Sequence, residues 1–351
     1  MKSMLYKKKK ILLVSHEMTY TGAPRSLLNM ADILRELGWQ VTVWSCEDGP
    51  FKEAFMENGF QVRVVHFSEE KWQVELTDYD LAIYNTVFTA HLAVVSQRWI
   101  RSILYIREAQ NLPQIIRDCG LNEAHLREAE EMVCVSEYAR DFIEARYHPK
   151  SLHVIHNWVK DAGSHGLNRV AGGIRHYLIA GTIERRKGFD AAIEAFRQMP
   201  GALHDITKLH IVGRVPEWSR DYWAEIMPAQ DSRIIYHGEI RNEKERLDLY
   251  AKMNAFIIAS RDESCSLVAL EGAMLGKAVI MSENVGAQYL CRDRAYIFRT
   301  DDVGQLSWMM SRLTGRKELL LRGRKMRESY MATSTRQVYK QALSQYIEKQ
   351  R

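Results

Sequence analysis

The chain has 351 residues, of which 46% are hydrophobic and 26% charged, and its formal net charge is +5. This length predicts two globular domains, and no apolar run approaches the roughly 18 residues of a membrane-spanning helix. The five cysteines include no C-x-x-C pair, and no nucleic-acid motif accompanies the basic charge, so disulfide frameworks, zinc sites and nucleic-acid binding are not expected.

The first half of the chain alternates apolar runs of strand length with amphipathic segments. Lys7–Lys10 precede the first strand, whose apolar part is too short for a secretory signal. Strands are predicted at 11–15, 41–45, 60–66, 81–85, 103–106, 132–136 and 153–156, and helices at 24–37, 51–58, 90–98, 123–131 and 137–146. This alternation is typical of a parallel, doubly wound sheet.

The same pattern restarts after a glycine-rich segment near 161–173, where we place the domain boundary. Strands are predicted at 177–180, 208–212, 233–237, 255–260 and 278–281, and helices at 189–199, 243–253 and 267–275. From Val303 onwards the chain is helical in pattern and basic, and it ends in a helix near 335–349. We therefore expect two α/β domains.

Two carboxylates flank the start of the predicted helix 267–275. Glu263 lies in the short loop before it and Glu271 lies inside it. The backbone amides of Ser266, Leu267 and Val268 are expected to point out of the helix N-terminus, where they attract phosphate. Carboxylates accept hydrogen bonds from sugar hydroxyls, so the pattern favours a nucleotide-sugar site. The alternative is an ordinary helix start with acidic residues near its dipole.

Other motifs admit two interpretations each. Lys187, between Gly181 and Gly188, is predicted to bind phosphate, although an isolated lysine is usually solvated. Asp78-Tyr79-Asp80 matches the D-x-D metal motif but directly precedes an apolar strand, which favours a turn. The dispersed histidines lack metal-ligand spacing, so no metal site is predicted. The basic stretch 312–327 is predicted to be a solvated helix face, with anionic lipid contact as the alternative.

Several loose motifs occur together: the loop 19–27, the V-S-E-x-x-R-D type segment 135–141, the segment 155–159, the Gly181–Gly188 loop, the E-x7-E element 263–271, and the segments 276–280 and 284–288. Jointly they resemble the retaining glycosyltransferases of family 4, also called group 1. The resemblance implies a GT-B fold, in which two doubly wound Rossmann-like domains face a cleft. Residues 1–162 would form the acceptor-side domain, 174–330 the donor domain, and 331–351 a helix that crosses back to the first domain.

The resemblance also implies roles for single residues. Lys187 would neutralise the leaving diphosphate, Glu263 would hold donor-sugar hydroxyls, and Glu271 would accept from the ribose hydroxyls. Further donor contacts would come from Gly22, Arg186, Gly213, Arg214 and Gly238, and from the amides of Ser266, Leu267 and Val268.

The chain departs from the family pattern at two positions. Arg107 stands where many members have a histidine, and Thr182 stands where an arginine is common. The candidate catalytic residues are Lys187, Glu263, Arg107 and Glu108, and His16 and Arg25 are expected on the acceptor side. Arg185 or Arg186 would supply the charge that Thr182 lacks.

The residues and the resemblance together imply a cytoplasmic, metal-independent glycosyltransferase of polysaccharide biosynthesis, and the resemblance alone implies a retaining one. It would need no cofactor and would move a sugar from a nucleotide-diphosphate sugar, UDP or GDP, to a hydroxyl of a glycan or lipid-linked saccharide. No nucleic-acid partner is expected, and peripheral contact with the anionic inner membrane face stays open, as does the oligomeric state. The departures leave one alternative, a catalytically silent nucleotide-sugar-binding subunit of a transferase pair. A dehydrogenase is disfavoured because G-x-G-x-x-G is missing after the first strand.

Overall fold

The structure is a computed structural model that describes residues 9–66, 74–163, 173–227, 231–291 and 293–349. Contacts divide the chain into two compact units, Met1–His156 with Lys340–Arg351, and Asn157–Tyr339. Most of the segment 161–173, where the sequence places the boundary, lies outside the described residues. The predicted α/β fold class is confirmed, because each unit contains a parallel sheet.

The described part of the first unit contains a seven-stranded sheet in the order β3-β2-β1-β4-β5-β6-β7, and its neighbouring strands are parallel. The strands are β1 Lys10–Ser15, β2 Gln40–Ser45, β3 Val62–Val64, β4 Leu81–Asn85, β5 Arg101–Tyr105, β6 Glu131–Cys134 and β7 Leu152–Val154. The central strands read as continuous apolar runs because helices cover both faces of a parallel sheet. The strand order reverses between β1 and β4, which is where ligands bind in such sheets.

The helices of this unit connect the strands. They are α1 Gly22–Glu36, α2 Lys52–Glu57, α3 Ala90–Ser96, α4 Leu112–Asp118, α5 Ala124–Glu128 and α6 Glu137–Tyr147. The predicted cap of α6 is confirmed, since Ser136 accepts a hydrogen bond from the amide of Ala139. Helix α4 was not predicted, although its apolar residues Leu112, Ile115 and Ile116 have helical spacing. The edge strand β3 is shorter than the predicted 60–66 because it pairs only with β2.

The described part of the second unit contains a six-stranded parallel sheet in the order β10-β9-β8-β11-β12-β13. Its strands are β8 Arg175–Ala180, β9 Thr207–Val212, β10 Ile234–Tyr236, β11 Ala255–Ile258, β12 Ala278–Ser282 and β13 Ile297–Phe298. Its helices are α7 Phe189–Arg197, α8 Arg220–Ile226, α9 Glu243–Ala251, α10 Leu267–Met274, α11 Val303–Arg312 and α12 Arg316–Thr333. Here the strand order reverses between β8 and β11.

The last helix, α13 Arg336–Lys349, continues into the first unit. Arg101 donates to the carbonyl oxygen of Ile347 at 2.7 Å, and the Tyr346 hydroxyl donates to Glu131 at 3.1 Å. Both contacts tie the end of the chain to strands β5 and β6. No described helix is long and apolar enough to cross a membrane.

The D-x-D segment forms the predicted turn at the start of β4. The Asp80 carboxylate accepts a hydrogen bond from the Lys10 amide at 2.8 Å, and the Asp80 amide donates to the Lys10 carbonyl. This residue therefore closes the edge of β1 against β4. Within the described ranges, no group of three or more His, Cys, Asp or Glu is arranged to hold a metal ion.

Candidate functional site

In the second unit, the predicted donor residues lie where neighbouring parallel strands end. Gly181 follows β8, Gly213 and Arg214 follow β9, Gly238 lies two residues beyond β10, and Glu263 lies in the loop after β11. The loops after β8 and β11 flank the point where the strand order reverses. The structure thus brings these residues to the edge of the sheet where a ligand is expected.

Two glycines permit the close packing of these loops. Gly188 has φ +67°, and a Cβ atom there would lie 2.0 Å from the carbonyl oxygen of Ala259. A Cβ at Gly213 would lie 1.8 Å from the carbonyl oxygen of Gly181. The glycines are therefore required for close approach, and the first also for its left-handed backbone. Gly188 packs the 181–188 loop against the end of β11, and Gly213 packs the end of β9 against the start of that loop.

Lys187 and Glu263 meet directly at this junction. The Lys187 ammonium donates a hydrogen bond to Glu263 Oε2, and the Ser260 hydroxyl donates to the same oxygen at 3.3 Å. The two charged side chains are 18% and 16% exposed, so they are accessible but poorly solvated. The structure brings together the two residues that the sequence assigned to the diphosphate and the donor sugar.

Arg186 adds a second positive charge. Its Nη1 donates to the Asp262 carbonyl at 2.9 Å and lies 3.8 Å from Glu263 Oε2, while its Nη2 donates to Glu184 at 2.5 Å. Burial disfavours the charge on Arg186, but the carboxylates of Glu263 and Glu184 outweigh it and raise its pKa. Arg185 points elsewhere and pairs with Glu225 on α8. Of the two arginines, only Arg186 supplies charge beside Glu263.

The backbone of Glu263 is fixed from its other side. Its amide donates to the Asn284 carbonyl at 3.0 Å, and its carbonyl accepts from the Gly286 amide at 2.7 Å. These bonds form a parallel bridge between Glu263 and Val285. The loop 284–288, which the sequence matched only loosely to a family motif, therefore positions the first glutamate.

Helix α10 begins beside Glu263. Ser266 is its N-cap, and its hydroxyl accepts from the Ala269 amide at 3.2 Å. The cap leaves the amides of Leu267 and Val268 without a hydrogen bond among the residues that the structure describes. The sequence predicted the exposed amides but missed the capping role of the Ser266 side chain. Donors at a helix start attract anionic groups.

Glu271 lies inside α10 and is 3% exposed. Its Oε1 accepts a hydrogen bond from Arg246 Nη2 of helix α9 at 2.9 Å. Burial disfavours the charge on Arg246, but Glu271 outweighs it, and the pKa of Arg246 is raised. No sequence motif singled out Arg246, because its partner lies on a different helix.

In the first unit, the polar residues follow β1, β4 and β5. His16 Nδ1 and Thr86 Oγ1 are 2.9 Å apart, and the imidazole stacks on Phe88 at 4.8 Å between centroids. Thr86 has φ +83°, a conformation that costs a β-branched residue about 1–3 kcal/mol. Such strain is typical of functional sites, and here it aims the hydroxyl at His16. The sequence gave no signal for Thr86.

Glu108 and Arg107 follow β5 but point differently. The buried Glu108 carboxylate accepts from the amides of Arg107 at 2.9 Å and Val87 at 3.2 Å, and burial raises its pKa. Arg107 Nε donates to Asn85 at 2.9 Å, and its guanidinium lies 4.3 Å from the Tyr105 ring centroid. Glu108 thus shapes the backbone at the strand ends, while Arg107 places a cation there.

The loop after β1 carries the other first-unit residues. Gly22 is the first residue of α1, which begins two residues before the predicted start, and Arg25 lies in its first turn. Thr21 precedes the helix and donates to Glu17 at 3.0 Å. Burial would raise the pKa of Glu17, but hydrogen bonds from His16, Thr19 and Thr21 lower it. Glu17 therefore places an ionised carboxylate beside His16. The sequence gave no signal for Glu17.

Comparison with known families gives two matches on different parts of the chain. A family model described as glycosyl transferases group 1 matches residues 175–315. A model described as glycosyl-transferase family 4 matches residues 7–119. A comparison with curated proteins found no significantly similar sequence.

Solved structures share the fold over nearly the whole chain. HepE (Alr3699) of Anabaena, crystallised with UDP and glucose, superposes with a TM-score of 0.79 at 17% identity, covering 97% of this chain and 100% of its own. A glycosyltransferase from Rickettsia africae gives 0.78 at 15% identity, covering 98% and 99%. WaaG, a glycosyltransferase involved in lipopolysaccharide biosynthesis, gives 0.68 at 13% identity, covering 95% and 98%. The chain therefore belongs to the group 1 glycosyltransferases of family 4 and is a glycosyltransferase with the GT-B fold.

Proposed function

We propose that this glycosyltransferase moves a sugar from a nucleotide-diphosphate sugar to a hydroxyl of a saccharide acceptor, with retention and without a metal. One observation carries the donor assignment. Lys187 and Arg186 both approach Glu263, beside the amides at the start of α10 that have no hydrogen bond among the described residues. Cations and amides bind a diphosphate, and a carboxylate accepts from sugar hydroxyls. The arrangement therefore offers both halves of a nucleotide sugar a partner.

The proposed reaction depends most on stabilising the diphosphate leaving group. In transfer, the bond between the sugar C1 and the diphosphate oxygen breaks, and the acceptor oxygen bonds to C1 and gives up its proton to the departing diphosphate. Negative charge grows on the diphosphate, where Lys187, Arg186 and the α10 amides would stabilise it. These residues supply the positive charge that a metal ion provides in other transferases, which supports a metal-independent reaction. Retention follows from the family resemblance.

UDP is the proposed nucleotide, and GDP is the alternative. HepE, which shares the fold, was crystallised with UDP and with glucose, and this supports a UDP-sugar donor. A glycan or lipid-linked saccharide is the proposed acceptor, supported by the involvement of WaaG in lipopolysaccharide biosynthesis. His16, Arg25 and Arg107 of the first unit would meet acceptor hydroxyls.

The proposed location is the cytoplasm, with membrane contact as the weaker alternative. Two of the exposed cations of α12 have carboxylate partners: Arg324 contacts Glu328 at 2.9 Å, and Lys325 contacts Asp293 at 2.7 Å. Such pairing lowers the net positive charge that an anionic lipid surface would attract. The solvated helix face is therefore preferred over a lipid-binding surface.

The donor site is tested by thermal unfolding with UDP, GDP, ADP and TDP sugars. A ligand at about 100 times its dissociation constant adds roughly 2.7 kcal/mol of stability. We expect a UDP-sugar to raise the melting temperature of the wild type, and Lys187→Ala and Glu271→Ala to abolish that rise. No shift with any of the four nucleotides at millimolar concentration would refute the donor site.

Turnover separates the proposal from the silent-subunit alternative, which the departures at Arg107 and Thr182 motivate. The assay follows nucleoside diphosphate released from the stabilising donor, with and without saccharide acceptors. Acceptor-dependent release supports the transferase. A donor that binds but is never consumed, with a panel of saccharide acceptors, would favour the silent subunit.

A further inference from the structure

Arg246 and Glu271 form a buried ion pair between helices α9 and α10. Arg246 Nη2 lies 2.9 Å from Glu271 Oε1, and the side chains are 11% and 4% exposed. Glu271 is the residue assigned above to the ribose, so the arginine fixes the orientation of a donor-binding carboxylate. A charge-assisted bond in a poorly solvated place restricts that carboxylate more than water would.

The same guanidinium carries a donor that the pair does not use. Arg246 Nε is buried and has no hydrogen-bond partner within the described parts of the chain. A buried N–H without a partner is unfavourable, and most such groups in folded proteins find one. Arg246 Nε therefore lies in a position where an acceptor atom from a ligand would be favourable.

The two groups together match one kind of ligand atom. Glu271 accepts hydrogen bonds, and the adjacent Arg246 Nε donates one. A hydroxyl both donates and accepts, so a single hydroxyl placed between them satisfies both. A phosphate oxygen would meet the arginine favourably but would be repelled by the carboxylate. The juxtaposition therefore favours a ribose hydroxyl over a phosphate.

We propose that Arg246 recognises the ribose of the donor, with Nη2 orienting Glu271 and Nε donating to the hydroxyl that donates to Glu271. This inference rests on the proposed function and extends its site by a binding residue on helix α9. It makes the enzyme selective for a ribonucleotide over the analogue that lacks that hydroxyl, because the deoxy compound would leave the buried Arg246 Nε unsatisfied.

The test measures the dissociation constants of UDP, 2′-deoxy-UDP and 3′-deoxy-UDP by calorimetry. We expect the wild type to bind UDP about ten- to a hundredfold more tightly than one of the deoxy compounds, the range for a hydrogen bond to a charged group. In Arg246→Leu, UDP should bind about as weakly as that deoxy compound. Arg324→Leu, an exposed arginine of α12, should behave as the wild type.

A second variant covers the case in which Arg246→Leu fails to fold, because Glu271 would be left buried without its partner. Arg246→Lys keeps the charge but cannot supply two donors in the guanidinium geometry. It should fold, still bind UDP, and lose most of the selectivity against the deoxy analogue.

The outcomes separate this inference from the proposed function. If the Lys variant, or a folded Leu variant, keeps the wild-type ratio between UDP and the deoxy analogues, Arg246 serves only to join two helices and the inference is wrong. If the wild type binds UDP without discriminating against either deoxy analogue, the inference is also wrong while the donor site stands. If the wild type binds no nucleotide, the proposed function fails and the inference fails with it.

Discussion

Lys187 donates a hydrogen bond to Glu263, so the cation and the carboxylate at the centre of the candidate site neutralise each other. Arg186 and Ser260 also approach Glu263, which keeps the carboxylate in place when Lys187 leaves it. Under the proposed function, the donor exchanges partners with this pair: the diphosphate takes Lys187, and Glu263 turns to a sugar hydroxyl. Donor binding therefore replaces one set of polar contacts by another.

The first prediction follows from that exchange. Lys187→Met should lower kcat/KM by about a hundred- to a thousandfold, the effect of removing one donor that stabilises transition-state charge. Stability should fall by only about 1 kcal/mol, since Arg186 remains beside Glu263. Steady-state kinetics and chemical denaturation measure the two effects.

Lys317→Met provides the matched control, because Lys317 is an exposed lysine of α12. It should leave kcat/KM within about twofold of the wild type, as expected for a surface residue. If Lys187→Met also kept its activity, Lys187 would not bear on the leaving group.

The second prediction concerns Gly188, whose left-handed backbone faces the Ala259 carbonyl. Gly188→Ala should cost about 3 kcal/mol or more, because the clash adds to the roughly 1–2 kcal/mol of a left-handed residue. Gly120→Ala isolates the second effect: Gly120 has φ +62° with nothing within 4 Å of its Cβ position. Equal losses for the two variants, measured by urea denaturation, would show that the loop relaxes and that close packing is not required.

The sequence predicted the parts of the site that depend on local rules. Lys187 and Gly188 lie in one short glycine-flanked loop, and Ser266 starts a helix, so both features can be recognised within a few residues. The sheet was equally accessible, since buried parallel strands are continuous apolar runs. Several strand ends were overestimated, among them those of the edge strands β3 and β10, which have fewer partners to extend them, and the short edge strand β13 was not predicted.

The remaining contacts join residues that are distant along the chain. Arg246 and Glu271 lie on different helices, and Thr86 meets His16 across two strands. No local sequence pattern predicts such a pair, because the packing of the sheet determines which residues meet. The positive φ of Thr86 was also unpredictable, since threonine rarely adopts it and only tertiary structure can impose it.

The third prediction tests that threonine. Thr86→Val keeps the shape but removes the hydroxyl 2.9 Å from His16, so the imidazole loses its orientation. We expect kcat/KM for the acceptor to fall about tenfold or more, as for loss of one positioning hydrogen bond. Thr86→Ser keeps the hydroxyl and should stay close to the wild type. If both variants lost activity equally, the shape of the strand end rather than the hydroxyl would matter.

Three histidines form a hydrogen-bonded row on the second sheet: His176 lies in β8, His210 lies in β9, and His237 directly follows β10. His176 Nδ1 lies 2.8 Å from His210 Nε2, and His210 Nδ1 lies 2.8 Å from His237 Nε2. Burial, followed by the two neighbouring histidines and Lys208, lowers the pKa of His210 to about 4. Burial also lowers the pKa of His176 and His237. A proton added to His210 would therefore place a positive charge among groups that disfavour it.

The last prediction is the resulting pH dependence of stability. An unfolded histidine titrates near 6.5, so between that value and about 4 the unfolded chain binds a proton that folded His210 does not. The free energy of unfolding should therefore fall by about 3 kcal/mol, through His210, as the pH drops through this window. Above the window, His210 should have no effect on its pH dependence. His210→Asn cannot titrate and should show a smaller loss, whereas His66→Asn, an exposed control, should follow the wild type. Denaturation curves from pH 7 to 4 test this prediction. If the wild type and His210→Asn lost stability in parallel, His210 would accept its proton in the folded protein, and the prediction would be wrong.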